Sequence, residues 1–218
     1  MSHSSRSLLA GAVVAAPLLV LLWAVQAVGR DGFRPTYHPM SLLSLGEWGW
    51  VQIANFVVVG VLVLGGGIAL GRTLEFGRLA GWAGGFIMLF GVGLIVSGVF
   101  VTDAGAGFPA GAPEGAPVMS WHGALHQVGF VLSQFAFLGA SLTLAAGFAK
   151  AGRTVWAAGA VAAAAAAILI AVLGAPETLA IRLVASSAIE LGLVGAVALD
   201  SLVRRTDGER VVVRYTGR

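Results

Sequence analysis

The chain contains no cysteine, which excludes disulfides, thiolate metal centres and thiol catalysis. Charge is nearly as scarce. Asp, Glu, Lys and Arg make up 11% of the 218 residues, against about 25% in a soluble domain. Hydrophobic residues make up 58% and the mean hydropathy is +0.91. A chain this apolar cannot keep its surface in water, so lipid must be its solvent. The pI near 10.2 and net charge of +3 do not argue for nucleic acid, because the basic residues sit in short connections between apolar runs.

Six of those runs are long enough to cross a hydrocarbon core of about 30 Å, which takes about 20 helical residues. They cover Leu8–Val28, Trp50–Leu70, Leu79–Val101, Trp121–Ala149, Thr154–Leu173 and Thr178–Val203. Every backbone group must be satisfied internally in lipid, so the runs are helices. The expected fold is an all-α integral membrane bundle of six transmembrane helices over residues 1–205, followed by a short cytoplasmic tail, 206–218. In that tail Asp207-Gly208 reads as a turn, and Val211–Val213 as a short strand or a disordered piece.

Charge sets the expected orientation. Of thirteen Lys and Arg residues, ten (Arg6, Arg72, Arg78, Lys150, Arg153, Arg204, Arg205, Arg210, Arg214 and Arg218) fall on the side of the termini. Arg30, Arg34 and Arg182 fall on the other. The positive-inside rule then puts both termini in the cytoplasm of a multi-pass protein of the plasma membrane. The first run has some features of a signal peptide, with Val25-Gln26-Ala27 before the cut, but its apolar part exceeds the usual 7–15 residues.

Glycine is abundant, 32 residues, about twice the usual ~7%. Gly67 with Gly71, and Gly81 with Gly85, have the spacing that lets helices approach closely. Ala157–Ala167 in the fifth run is nearly all alanine. The external connection 102–120 carries Pro109, Pro113 and Pro117, which interrupt helix, and Ser120 is placed to cap the fourth helix. Trp23, Trp48, Trp50, Trp121 and Tyr37 at the outer interface, with Trp82 at the inner, read as an aromatic belt.

Polar side chains gather at the external face. His38, Ser41, Asp103, His122, His126 and Arg182 form the expected polar cluster. His122 and His126 are four apart on one helix face and, with His38, make a zinc ligand set of the kind three imidazoles supply. Asp103 would then act as general base toward metal-bound water, and Ser41 or Arg182 would hold an oxyanion. Membrane hydrolases of the alkaline-ceramidase and adiponectin-receptor type are similar in residue types, though not in helix count or order. The bland alternative is a hydrogen-bonded cap without metal, and no cofactor is required. Haem is disfavoured, since two histidines on one face cannot supply opposite axial ligands. Glu190 lies about 12 residues into the last run, roughly 18 Å deep at 1.5 Å per residue. An ionisable group at that depth is a functional candidate. Ser186, Ser187, Gln52, Asn55, Gln127, Ser133 and Gln134 are expected to continue it as a polar track.

The segments RDGFRPTYHPMSLLSLGEWGWVQIANFVVVG, GVFVTDAGAGFPAGAP and WHGALHQVGF resemble the bacterial membrane family catalogued as domain of unknown function 998, over roughly Gly11–Val203. The likeness rests on Ser41–Gly46, Gly98–Asp103, His126 and an Arg near the start of the last helix, here Arg182. Many relatives have Pro after Phe in the third-helix motif, where this chain has Val101-Thr102. The resemblance implies six helices and an extracytoplasmic polar cluster, and it implies no activity. A more distant likeness is to the six-helix family of Frag and DRAM type, linked with lipid organisation.

Three functions follow from these residues. The favoured one is a non-catalytic membrane protein whose outer cap binds membrane lipids or a membrane-protein partner, another copy included. The second is a zinc-dependent hydrolase of lipid amides or esters at the outer leaflet, with Asp103 and Ser41 catalytic. The third is a small proton-coupled transporter using Glu190.

Overall fold

The computed structural model describes residues 3–204, Pro176 apart. Among the described residues there are six α-helices: α1 (His3–Gly29), α2 (Gly49–Thr73), α3 (Arg78–Val99), α4 (Trp121–Lys150), α5 (Thr154–Val172) and α6 (Leu179–Thr216). The described, membrane-crossing part of α6 is Leu179–Arg204. All six are long and apolar enough to span a membrane, and no strand occurs among the described residues. The expected turn at Asp207-Gly208 and the segment Val211–Val213 lie outside the described residues.

Each helix packs against its chain neighbours, and α6 returns to α1, closing a ring. Glycine makes the close approaches. A Cβ on Gly84 would lie 2.7 Å from the Gly67 carbonyl oxygen and from Gly71 Cα. Gly60 and Gly91 meet across the same α2–α3 seam, and Gly93 meets Gly129 between α3 and α4. The Gly67/Gly71 pair therefore faces a helix as its spacing predicts. Gly81 and Gly85 do not, since a Cβ at either meets nothing within 4 Å. They stand on the exposed face of α3.

Short connections close one end. α4 stops in a Schellman turn. Gly152 stands at φ 71°, its N–H bonds the Ala149 carbonyl, and the Arg153 N–H bonds the Phe148 carbonyl. The Arg153 guanidinium lies over the Phe148 and Trp156 rings and donates two bonds of 2.9 Å to Asp200 on α6. Arg204 bonds the same carboxylate.

The two long connections cap the other end. The first contains a 3-10 helix, Met40–Ser44. Phe33, Leu42, Leu43, Ala27 and Phe108 form a small apolar core between the loops, separate from the main core. Trp23 packs against it, so this indole belongs to the cap's interior and not to the interfacial belt. Trp48, Trp50, Trp82 and Trp121 are exposed, as a belt requires.

Candidate functional site

His38 is the keystone of the cap. Its ring lies between Phe33, Tyr37 and Phe108, at 5.4, 5.2 and 5.5 Å. The Arg34 N–H donates to Nδ1 at 2.9 Å, which makes Nδ1 an acceptor. Nε2 therefore carries the proton and donates to the Ala106 carbonyl at 3.0 Å. This bond ties the first loop to the second. Burial lowers the His38 pKa, with Arg34 nearby acting in the same sense. Arg30 reinforces the closure, donating to the Leu43 and Leu45 carbonyls beneath Phe108.

The other two histidines finish α3. His122 Nδ1 donates to the Val101 carbonyl at 2.9 Å. His126 Nδ1 donates to the carbonyls of Ser97 and Phe100 at 2.8 and 3.0 Å. The carbonyls at the end of a helix have no partner within it. Here two rings from the first turns of α4 supply partners. The i, i+4 spacing does put both rings on one face, and what that face meets is a helix terminus. Among the described residues no group of three or more His, Asp or Glu is arranged to hold a metal ion. The expected three-histidine zinc set is not assembled as such a group: His38 has both ring nitrogens in hydrogen bonds, while His122 and His126 turn Nδ1 to backbone carbonyls at the end of the third helix and just beyond it.

Asp103 sits on the start of α4. It accepts from the Ser120 N–H at 2.8 Å and the Ser120 hydroxyl at 2.6 Å. Ser120 Oγ in turn accepts from the Gly123 N–H at 3.1 Å, the expected cap. A Cβ on Gly123 would collide with the Asp103 carboxylate, so glycine is what lets the acid approach. The Ser120 hydroxyl and N–H hold the Asp103 pKa below the ordinary carboxylate value, with His122 and His126 adding to the effect. A carboxylate so stabilised is a weak base, which weakens its case as the base of a hydrolase.

Arg182 does not join this group. It donates to the carbonyls of Ile170, Ala171, Leu173 and Ala175 and to the Thr178 hydroxyl. Its place in the expected polar cluster is corrected: the guanidinium fork fits the end of α5, with Nε and Nη1 engaged there and Nη2 bonded to the Ala175 carbonyl.

Beneath the cap runs a cavity of ≈ 340 Å³. Ser41, Asp103 and His126 line its upper part, with Phe56, Phe90, Leu94 and Phe130 on its walls and Glu190 among its lining residues. The expected polar track divides. Gln127, Ser133, Gln134, Ser187 and Glu190 line the cavity. Gln52 and Asn55 form a separate amide cluster with Gln26 on α1: Gln26 donates to Gln52 Oε1 at 2.8 Å, and Asn55 to the Leu19 carbonyl at 3.2 Å. Glu190, only 2% exposed, accepts from Ser186 Oγ at 3.1 Å and Gln134 Nε2 at 3.4 Å. A second cleft of ≈ 270 Å³ lies between α4, α5 and α6, lined by apolar residues such as Val131, Phe135 and Ile168. Glu190 and Gln134 line both spaces.

Sequence reasoning missed Phe33 and Phe108, the cap core, and Ser97 and Thr102 in the cavity wall. Their partners are far away in the chain, and no local pattern announces them.

A closed six-helix bundle, capped at one end over an amphipathic cavity, defines a polytopic membrane protein. A family model described as "Protein of unknown function (DUF998)" matches residues 13–200. The chain belongs to that family. No curated protein and no solved structure matches it.

Proposed function

We propose that the protein binds a membrane amphiphile, a lipid or lipid-like molecule, in the cavity under its cap. The cap faces away from the cytoplasm and the bundle resides in the plasma membrane. The observation that carries the reading is the lining itself. Polar groups of the cap, Ser41, Asp103 and His126, share one cavity with phenylalanine and leucine walls. Ligand sites of about 300–1,000 Å³ are mostly apolar with a few placed polar groups, and ≈ 340 Å³ falls in that range. The orientation rests on charge: Arg6, Arg72, Arg78, Lys150, Arg153 and Arg204 all belong to the end opposite the cap.

Native mass spectrometry of the detergent-purified protein tests this. A stoichiometric amphiphile is expected to copurify. Leu183→Trp, which fills the cavity from a partly buried position on its wall, is expected to lose it while keeping the thermal midpoint. Recovery of no ligand from the wild type after exposure to a total membrane lipid extract, or equal occupancy in Leu183→Trp, would refute the reading.

A further inference from the structure

The cavity has an unusual charge inventory. Two acids line it, Asp103 and Glu190, together with His126, and no Lys or Arg among the described residues does. Asp103 has Ser120 donors on both its oxygens and sits at a helix N-terminus, which favours its negative charge. Glu190 also has one donor on each oxygen, but it stands mid-helix, with no helix N-terminus beside it. Its two neighbours, Ser186 and Gln134, are neutral, and the longer contact is 3.4 Å. A carboxyl in a membrane interior is held ionised by a cation beside it, and without one it takes up a proton. The groups around Glu190 supply no cation, while a carboxylate has about four acceptor sites, of which two are occupied. Glu190 also lines both spaces, the capped cavity and the apolar cleft between α4, α5 and α6. A group bonded to it can therefore trail an alkyl chain along either apolar wall.

Building on the amphiphile-binding reading, we propose that the ligand is a lipophilic amine, its ammonium held by the Glu190 carboxylate and its chain lying along the apolar walls. Phosphate- or carboxylate-headed lipids are disfavoured here. They would bring a negative group into a space that holds two acids and, among the described residues, no cationic side chain. An uncharged alcohol fits the walls but leaves the carboxylate without a counter-charge.

The test titrates dodecylamine, dodecanol and dodecanoate, which share one chain length, onto the purified full-length protein in phosphatidylcholine nanodiscs, with empty nanodiscs subtracted. Bound probe is read by native mass spectrometry. The amine is expected to bind about tenfold tighter than the alcohol, as befits a charge-assisted hydrogen bond set against a neutral one, and dodecanoate weakest. Glu190→Gln is expected to remove the amine's advantage and leave dodecanol unchanged. Ser187→Lys, which puts a cation into the same cavity, is expected to do likewise and decides the matter if Glu190→Gln does not fold. Equal binding of amine and alcohol by the wild type, or an advantage that survives in a folded variant, overturns the headgroup assignment alone. Failure of all three probes to bind overturns the amphiphile reading beneath it.

Discussion

Replacing Asp103 by Asn probes the joint between the third and fourth helices. In the native protein the carboxylate accepts at 2.8 Å from the Ser120 N–H and at 2.6 Å from its hydroxyl. Hydrogen bonds to a charged group contribute about 1.5–3 kcal/mol each, and neutral ones about 0.5–1.5. An amide has one oxygen, so it keeps one of the two bonds, in neutral form, and gives up the favourable charge at the α4 N-terminus, worth about 0.3–1 kcal/mol. The expected loss is about 2–6 kcal/mol. Acidity supplies a second, independent check. The native pKa lies below the unfolded value of about 3.9. The carboxylate's contribution is therefore fully present above that value and is lost as the pH falls through the lower native one. The stability gap between wild type and Asp103→Asn should be constant from neutral pH down to about 5, then close in stronger acid. Reversible unfolding in mixed micelles, followed by circular dichroism across pH, measures both. A variant as stable as the wild type at neutral pH would refute the assignment of Asp103 as the anchor of α4.

Three further outcomes follow from the geometry. Gly84→Val should lower stability by about 1–3 kcal/mol through overpacking, because the clash is with the backbone at Gly67 and Gly71; Gly85→Val should be tolerated, and heat-induced aggregation in detergent compares them. Lowered by burial, the His38 pKa means that its stabilisation is whole above about 6.5 and falls as the pH drops through the native value. Protonation removes the lone pair that accepts the Arg34 N–H, so limited proteolysis of 110–119 should speed up between pH 7.5 and pH 5.5, and His38→Phe should be insensitive to pH. Arg182→Lys, with three donors in place of five, should destabilise the α5–α6 turn by about 1–3 kcal/mol, seen as faster amide hydrogen exchange at 170–175 than in the wild type.

Hydropathy made the helices readable. Each apolar run coincides with a helix to within a few residues, because length in a lipid solvent leaves no competing structure. α1 extends a turn beyond its expected start, to His3, where polar residues continue the helix without adding to the apolar signal. The place of Glu190 inside the last apolar helix was equally plain. Its partner Gln134 was not, being 56 residues away. The histidines illustrate the limit best. Spacing correctly put His122 and His126 on one face, but two imidazoles can ligate metal or close a helix end, and only the third dimension distinguishes them. Arg182 misled for a similar reason: its position near the start of the last helix was right, while its length let it reach back to α5.

α5 is fastened at its tips. At one, Arg153 grips Asp200; at the other, Arg182 holds the final carbonyls. Between them the buried face consists of Ala160, Ala164 and Ala167, side chains too short to interlock with a neighbour. A rod bolted at both ends and smooth in between bends at its middle before it tears loose, and Ala164 and Ala167 form part of the wall facing Glu190. Of the six staves in the barrel, this is the one whose bowing sacrifices the fewest interdigitated contacts.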